Sequence, residues 1–354
     1  MKIISEWFQR FFSDPQAVIL TVVLALGTSI VLFMGQDLAP VLASMVIAYL
    51  LEGVVLQLQH RVHLPRTLAV LVVFVLFLAF VLFLLLGLLP LTSRQLTQLV
   101  QQLPSMIVRG QQLLLSLPAM YPEFITEAQV LEVINAIRAE IATWGQGVLS
   151  WSLAAGMGII TITIYLVLVP LLVFFFLKDK RLILDWVHGF LPHDHTLAQQ
   201  VWREVDQQMG NYVRGKFLEV VVVWVATYLA FIFMDLQFSM LLALMVGLSV
   251  IVPYIGAVVV TVPVALVAFF QWGWGPEFLW LLGVYLIVQG LDGNILVPLL
   301  FSEVVDLHPI AIIVAVLVFG GLWGFWGVFF AIPLATVVQS ILKAWPRPVP
   351  VMTV

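Results

Sequence analysis

The sequence predicts an all-α polytopic membrane protein with about eight hydrophobic segments, and three features carry that expectation. Hydrophobic residues make up 63% of the 354 positions and charged residues 10%, against roughly 45–50% and 25% in soluble domains. No water-soluble core could hide that much apolar surface. Apolar runs recur from Val18 to Leu342, and about 20 such residues suffice for one crossing. Lys and Arg punctuate the early runs and the C-terminus and are absent from residues 217–342. There is no cysteine, which excludes disulfide frameworks, thiolate nucleophiles and cysteine-ligated metals.

Taken in order, residues 1–91 read as N-terminal transmembrane helices forming a scaffold. The run Ala17–Met34 is longer than a signal h-region and is followed by no small-residue cleavage pattern, so it reads as a retained first helix. Leu38–Leu58 completes a hairpin with it, and Thr67–Leu89 crosses next. Basic residues mark the cytoplasmic side of short loops. Lys2, Arg10, Arg61, Arg66, Lys178, Lys180, Arg181, Arg203, Arg214, Lys216, Lys343 and Arg347 therefore place both termini inside and residues 92–150 outside. In that insert Leu96, Leu99, Val100 and Leu103, then Val130, Ile134, Ile137 and Ile141, recur at helical spacing, which predicts short amphipathic helices. Residues 151–177 return through the membrane, 178–216 form a basic cytoplasmic helical segment, and 217–354 hold the remaining hairpins.

Within 217–354, Met240–Phe270 and Pro309–Leu342 each exceed one crossing and each is interrupted. VPYIG at 252–256 and Pro263 break the first, GGLWGFWG at 320–327 and Pro333 the second. Broken backbone at membrane depth is tolerated only where protein or water satisfies it, so both read as helical hairpins that dip in and turn back. IGAVVVTVPVAL at 255–266 can be laid beside WGVFFAIPLAT at 326–336. A pair of interrupted segments in corresponding positions points to a transporter binding site.

The carboxylates of this region are Glu219, Asp235, Glu277, Asp292, Glu303 and Asp306, with nothing basic nearby in sequence to balance them. Asp235 and Glu277 fall in expected interhelical turns, where a solvated carboxylate needs no function. Glu219, beside Arg214 and Lys216, reads as an interfacial ion pair or a helix-start charge. Asp292 differs, because it lies with Gln289, Asn294 and Pro298 in the apolar run VQGLDGNILVPLL. An ionisable group at membrane depth is a functional candidate. A carboxylate with amide oxygens and freed carbonyls suits a hard cation such as Na+, and the same carboxylate can carry H+. The alternative is that this polar cluster ties hairpins together. Glu303 and Asp306 are weaker candidates in the next turn. His308 reads as the polar end of a helix, and His193, Asp194 and His195 as a turn with a helix start rather than a metal site. No phosphate-binding loop, nucleophile motif or metalloprotease helix occurs; no cofactor or metal is expected, and nothing indicates nucleic acid.

NYVRGK at 211–216, VPYIG at 252–256, QGLDGNILVP at 289–298, LHP at 307–309 and GGLWGFWGVFFAIPLA at 320–335 together resemble the autoinducer-2 exporter family of bacterial membrane proteins, in particular its permease subgroup. The resemblance covers nearly the whole chain. It implies a secondary transporter of the bacterial inner membrane, exporting a small polar solute or exchanging Na+ for H+, and a homo-oligomer, with a pentamer as one arrangement. Carried over by motif, Arg214 and Gly215 match an arginine–glycine pair. Pro253, Tyr254 and Gly256 match the first hairpin turn, Asp292, Asn294 and Pro298 the polar element, and Gly320, Gly321 and Gly324 the second hairpin. Relatives often carry Glu in the polar element where this chain has Asp292, which leaves the coupling ion open.

Three function classes follow. The leading one is a secondary transporter with Asp292 as coupling carboxylate and Gln289, Asn294, Tyr254, Arg214, Glu303 and Asp306 along the solute or ion pathway. The second is a non-transporting membrane scaffold or regulator working through residues 92–150 or 178–216. The third is an intramembrane enzyme acting on a lipid carrier, with only Glu303, Asp306 and His308 available as partners for Asp292.

Overall fold

A computed structural model describes residues 37–120, 126–136, 164–189, 196–253, 255–301 and 307–344, with a few isolated positions outside these ranges. All regular structure among the described residues is helical. Six helices there are long and apolar enough to cross a membrane, and Ile164–Lys178 and Ser239–Ser249 are shorter apolar helices. The expected first span, Ala17–Met34, lies outside the described residues.

Helix α1 (Ala39–Val62) opens with Pro40 in its first turn, where the missing N–H has no intrahelical partner to lose, and closes on His63 at φ 55°. Helix α2 (Arg66–Phe83) is apolar throughout and leaves Leu71, Val75 and Leu76 exposed, as a surface solvated by lipid tails requires. It runs through a π-helical turn, Leu84–Leu88, into α3 (Leu89–Met120). The result is one helix of 51 residues from Arg66 to Ser116, where short helices were expected after residue 92. Pro104 lies inside it; a proline removes a single rung, and the polar face of an amphipathic helix can hold the rest of the ladder together. Helix α4 (127–136) starts from a reciprocal cap. Thr126 N–H donates to Gln129 Oε1 (3.1 Å) and Gln129 N–H to Thr126 Oγ1 (3.4 Å), as a Thr-x-x-Gln sequence favours. Helices α5 (Ile164–Lys178) and α6 (Lys180–His188) follow.

The chain forms two compact units, one of Leu78–Pro170 and one of Met1–Phe77 with Leu171–Val354. In the smaller, Leu88, Thr92, Val130 and Ile134 are buried, and the Thr92 hydroxyl donates to the Leu88 carbonyl (2.9 Å). In the larger, Glu52 of α1 is a buried hub. It accepts from both guanidinium nitrogens of Arg66 (3.0 and 3.3 Å) and from Lys180 (3.3 Å), while Arg66 also donates to the Leu177 carbonyl (2.9 Å). Phe74 and Phe174 pack with ring centroids 5.0 Å apart, so α1, α2 and α5 meet at one charged staple with an aromatic contact beyond it.

Helix α7 (Thr196–Phe233) has 38 residues, about 57 Å at 1.5 Å per residue. It passes residue 217 without a break, so Glu219 lies well inside a helix rather than at its start. Tyr49 of α1 donates its hydroxyl to the Asp206 carboxylate (2.7 Å) and backbone carbonyl, which joins α1 to α7. After a turn with Asp235 and Phe238 at positive φ, α8 (Ser239–Ser249) runs back along α7. A Cβ on Gly247 would stand 2.6 Å from the Trp224 Cβ, so the two backbones touch where the side chain is smallest. Helix α9 (Ile255–Trp272) returns, and Gln271 near its end accepts from Gln237 N–H (2.8 Å) and donates to the Asp235 carbonyl (2.7 Å). Helices α8 and α9 are thus a hairpin closed at its base by Gln271 and broken at the VPYIG motif.

Helix α10 (Pro276–Leu291) leads into a second π-helical turn, Asp292–Leu296, and the short α11 (Val297–Phe301). Each π turn has a proline two residues beyond it, Pro90 and Pro298. In a regular α-helix that ring would strike the carbonyl four residues back. Slipping to five-residue bonds, Leu89 N–H to the Leu84 carbonyl and Val297 N–H to that of Asp292, relieves the clash locally.

Helices α12 (Pro309–Phe329) and α13 (Ala331–Ala344) form the other broken segment. His308 caps α12 by accepting from Ile310 N–H (3.3 Å). The helix breaks at Gly324, at φ 57° and ψ −133°, a conformation open to glycine alone. A Cβ on Gly327 would overlap the Phe319 carbonyl, and one on Gly256 would overlap the Ser249 carbonyl. The two glycines that align in the sequence comparison of 255–266 with 326–336 therefore do the same job: each lets the strand of helix after a break press on the carbonyl before it. Breaking a helix also frees carbonyls, and α7 meets one in each hairpin. Tyr212 donates its hydroxyl to the Phe329 carbonyl (3.1 Å), whose regular donor would be the nitrogen of Pro333. Lys216, one turn on, donates to the Val250 carbonyl (2.8 Å).

Two outcomes test this packing. Gly256→Ala and Gly327→Ala should each lower stability by about 2–3 kcal/mol or more through backbone overlap, whereas Gly283→Ala, with open space around its Cβ, should leave the unfolding midpoint in detergent within a degree or two of wild type. Tyr212→Phe should cost about 1–2 kcal/mol by stranding the Phe329 carbonyl, read in the same thermal unfolding assay.

Candidate functional site

Tyr285 and Gln289 near the end of α10 and Asp292, which opens the π-helical turn after it, are spaced four and then three residues apart and so share one face. Tyr285 is buried. Its hydroxyl accepts from Gln289 Nε2 (2.9 Å) and meets Thr261 Oγ1 of α9 (3.0 Å), and Thr261 in turn donates to the Ala257 carbonyl (2.7 Å). The direction of this chain follows from its ends: Gln289 donates to Tyr285, Tyr285 to Thr261, Thr261 to backbone. Tyr285 also packs on Phe231 of α7, with ring centroids 6.3 Å apart, which sets α10 against α7.

Asp292 stands one turn beyond Gln289, at the entry of the π-helical turn. Its own N–H is satisfied by the Gln289 and Val288 carbonyls and its carbonyl by Val297 N–H, so the backbone is paired. One side-chain oxygen is not: among the described residues the buried Oδ1 accepts no hydrogen bond. A buried acceptor left unpaired in an otherwise paired structure costs about 1–3 kcal/mol, more if charged. On α7 the Thr227 hydroxyl, fully buried, and the Trp224 indole nitrogen are likewise without a partner.

The opposing charge comes from α7. Lys216 and Glu219 are nearly inaccessible, with side chains 6% and 3% exposed, and their N–O separation is 2.7 Å. The Lys216 ammonium also lies 5.3 Å from the Phe301 ring centre, and a Cβ on Gly215 would stand 2.8 Å from that ring, so α11 packs tightly on this stretch of α7. Asp292 is within electrostatic range of both members of the pair, attracted by Lys216 and repelled by Glu219.

Of the residues singled out in the sequence, the structure gathers Asp292 and Gln289. Asn294 is exposed and its amide donates to the Gly290 carbonyl (2.8 Å), two residues from Asp292 and on a different helix face. Arg214 is exposed, donates to Asn211 Oδ1 (3.0 Å) and lies over Gly53 of α1. Tyr254, Glu303 and Asp306 lie outside the described residues. Pro253 and Gly256 sit at the break of the first hairpin, Pro298 two residues beyond the π turn, and Gly324 at the break of the second. Gly320 packs against Val328, and Gly321 faces open space. Sequence reasoning missed Tyr285 and Thr261; it read Lys216 as an ion-pair partner of Glu219, which the 2.7 Å contact matches, but not as part of the site. The four-residue step from Tyr285 to Gln289, and the three-residue step from Lys216 to Glu219, were the available signals. Among the described residues no group of three or more His, Asp or Glu could hold a metal ion.

Residues 18–347 match the family described as AI-2E family transporter. The chain is 46% identical to the Escherichia coli (strain K12) protein named "Putative permease PerM", over 98% of each chain. It is 25% identical to the Bacillus subtilis (strain 168) protein named "Putative transport protein YueF", over 88% of this chain and 84% of that one. It is 27% identical to "Putative transport protein YrrI" of the same organism, over 86% and 85%. A broken-hairpin membrane protein matched along nearly its whole length in this way belongs to the AI-2E transporter family.

Proposed function

We propose that this chain is a secondary transporter of the bacterial inner membrane that exports a small polar solute or exchanges Na+ for H+, with Asp292 as its coupling carboxylate. One observation supports this above the rest: a carboxylate inside a candidate membrane span, Pro276–Phe301, keeps a buried oxygen with no hydrogen-bond partner among the described residues. A group merely tying helices together would be paired, since an unpaired charge at this depth is costly and persists where it has work to do. The hydrogen-bonded file Gln289–Tyr285–Thr261 leads away from it and offers a polar lining to a solute or a proton. The two hairpins, pinned to α7 at Tyr212 and Lys216, are the elements that alternate around this site, while residues 1–91 form the scaffold and copies of the chain assemble as a homo-oligomer. Both termini and residues 178–216 face the cytoplasm in this reading, and residues 92–150 lie outside.

The test is transport by purified protein in proteoliposomes carrying an internal pH dye, with stepwise Na+, Li+ and candidate polar solutes. A cation-driven pH change that falls at least about tenfold in Asp292→Asn, from protein that remains folded, is the expected result for antiport. Solute flux without a cation response supports an exporter in which Asp292 is not the coupling group. Absence of any flux from folded, inserted protein would overturn the transporter reading in favour of a membrane scaffold working through residues 92–150.

A further inference from the structure

A buried ion pair is an expensive way to hold helices together, because apolar side chains of the same size do it as well or better. Lys216 and Glu219 are such a pair, and the hydrogen bonds of Lys216 run to Glu219 and to backbone rather than to Asp292. One N–H goes to Glu219 (2.7 Å), one to the Val250 carbonyl (2.8 Å), and the ammonium is flanked by the Phe301 ring, 5.3 Å to its centre. Among the described residues the ammonium makes no hydrogen bond to Asp292, although the two groups lie within electrostatic range. The pair is neutral as a unit, so an ionised Asp292 adds one negative charge that no described residue pairs with, on a carboxylate whose buried Oδ1 has no hydrogen-bond partner among the described residues. Of the other titratable side chains described on these elements, Tyr212 and Tyr285 use their hydroxyls on the Phe329 carbonyl and on Thr261 with Gln289, Asp206 accepts from Tyr49 and Arg214 donates to Asn211, while Tyr228 of α7 and Glu277 of α10 complete the set.

Resting on the Na+/H+ exchange reading above, we infer that Glu219 holds Lys216 away from Asp292, so that the Asp292 site takes one monovalent cation at a time and exchange is one for one. Glu219 is a positioning residue in this scheme. Freed from Glu219, the lysine is a tethered cation at high effective concentration beside Asp292 and competes with any ion from solution. A divalent ion would leave an excess positive charge in a low-dielectric site, where a single unpaired charge is already costly.

The experiment compares wild type, Asp292→Asn, Glu219→Gln and the double variant Lys216→Gln/Glu219→Gln in the proteoliposome assay, with size-exclusion and thermal unfolding as folding controls. The amide at 216 can still donate to the Val250 carbonyl, and the double variant removes both charges and so restores the neutral surroundings of Asp292. Expected are loss of the Na+-driven pH change by about tenfold or more in Glu219→Gln, recovery in the double variant to within about threefold of wild type, and a wild-type rate unmoved by a valinomycin-imposed potential. A Glu219→Gln variant as active as wild type, where Asp292→Asn is inactive, would overturn the inference and leave the transporter reading intact. So would a folded double variant that stays inactive, whether or not the single variant folds, and so would a wild-type rate that follows the imposed potential. A wild type with no cation response at all overturns the exchange reading itself, and this inference with it.

Discussion

A buried carbonyl without a donor has no water to turn to, and each such group costs about 1–3 kcal/mol. Both broken hairpins of this protein create that problem at their turns. The Phe329 carbonyl loses its regular donor to Pro333, and the Val250 carbonyl ends the last turn of α8. Tyr212 and Lys216 answer it from successive turns of α7. The use of a lysine for one of these bonds sets the rest in train. A lone ammonium buried this fully requires a counter-ion, which Glu219 supplies three residues on. Any further carboxylate nearby then finds the positive charge already taken. Asp292 is in that position, and its unpaired oxygen is a consequence of how the backbone break in the first hairpin is satisfied.

The parts of this architecture that depend on local chemistry were legible in the sequence. Helix breaks at VPYIG and GGLWGFWG follow from proline and glycine, and Gly256 and Gly327, which fall together when 255–266 is laid beside 326–336, each lie against the carbonyl before the break, of Ser249 and of Phe319. What composition concealed was continuity. Hydropathy registers a change of surroundings at residues 91–92 and 216–217, but a helical backbone has no reason to stop there, so α2 runs on into α3 and α7 continues past Lys216. Partners distant in the chain were hidden for a different reason. Glu52 meets Arg66 and Lys180 across 14 and 128 positions, and no spacing rule reaches that far.

The candidate site divides along the same line. Asp292 and Gln289 stood out because charged and amide groups are rare in an apolar run. Tyr285 did not, since tyrosine is at home among aromatic residues at a membrane interface and only its hydroxyl, seen in three dimensions, joins it to the file. Asn294 is the converse. It is two residues from Asp292 in sequence, but positions two apart on a helix do not face each other. The amide turns back on the Gly290 carbonyl instead, as residues next to a widened turn can do.

Lys216 is the point at which the electrostatics and the backbone of this protein share an atom. Its ammonium holds the Val250 carbonyl at the break of the first hairpin, is held by Glu219, and lies in the field of Asp292. Neutralising Asp292, by a proton or another cation, removes one of the two negative charges that pull on this ammonium. Low dielectric makes such a change felt over several ångströms. A ligand shifts a conformational equilibrium only by its differential interaction with the two states. Here the difference is concrete: the charge on Asp292 acts on the group that fixes the hairpin to α7, so the charge state of Asp292 and the hold on the hairpin are not independent quantities.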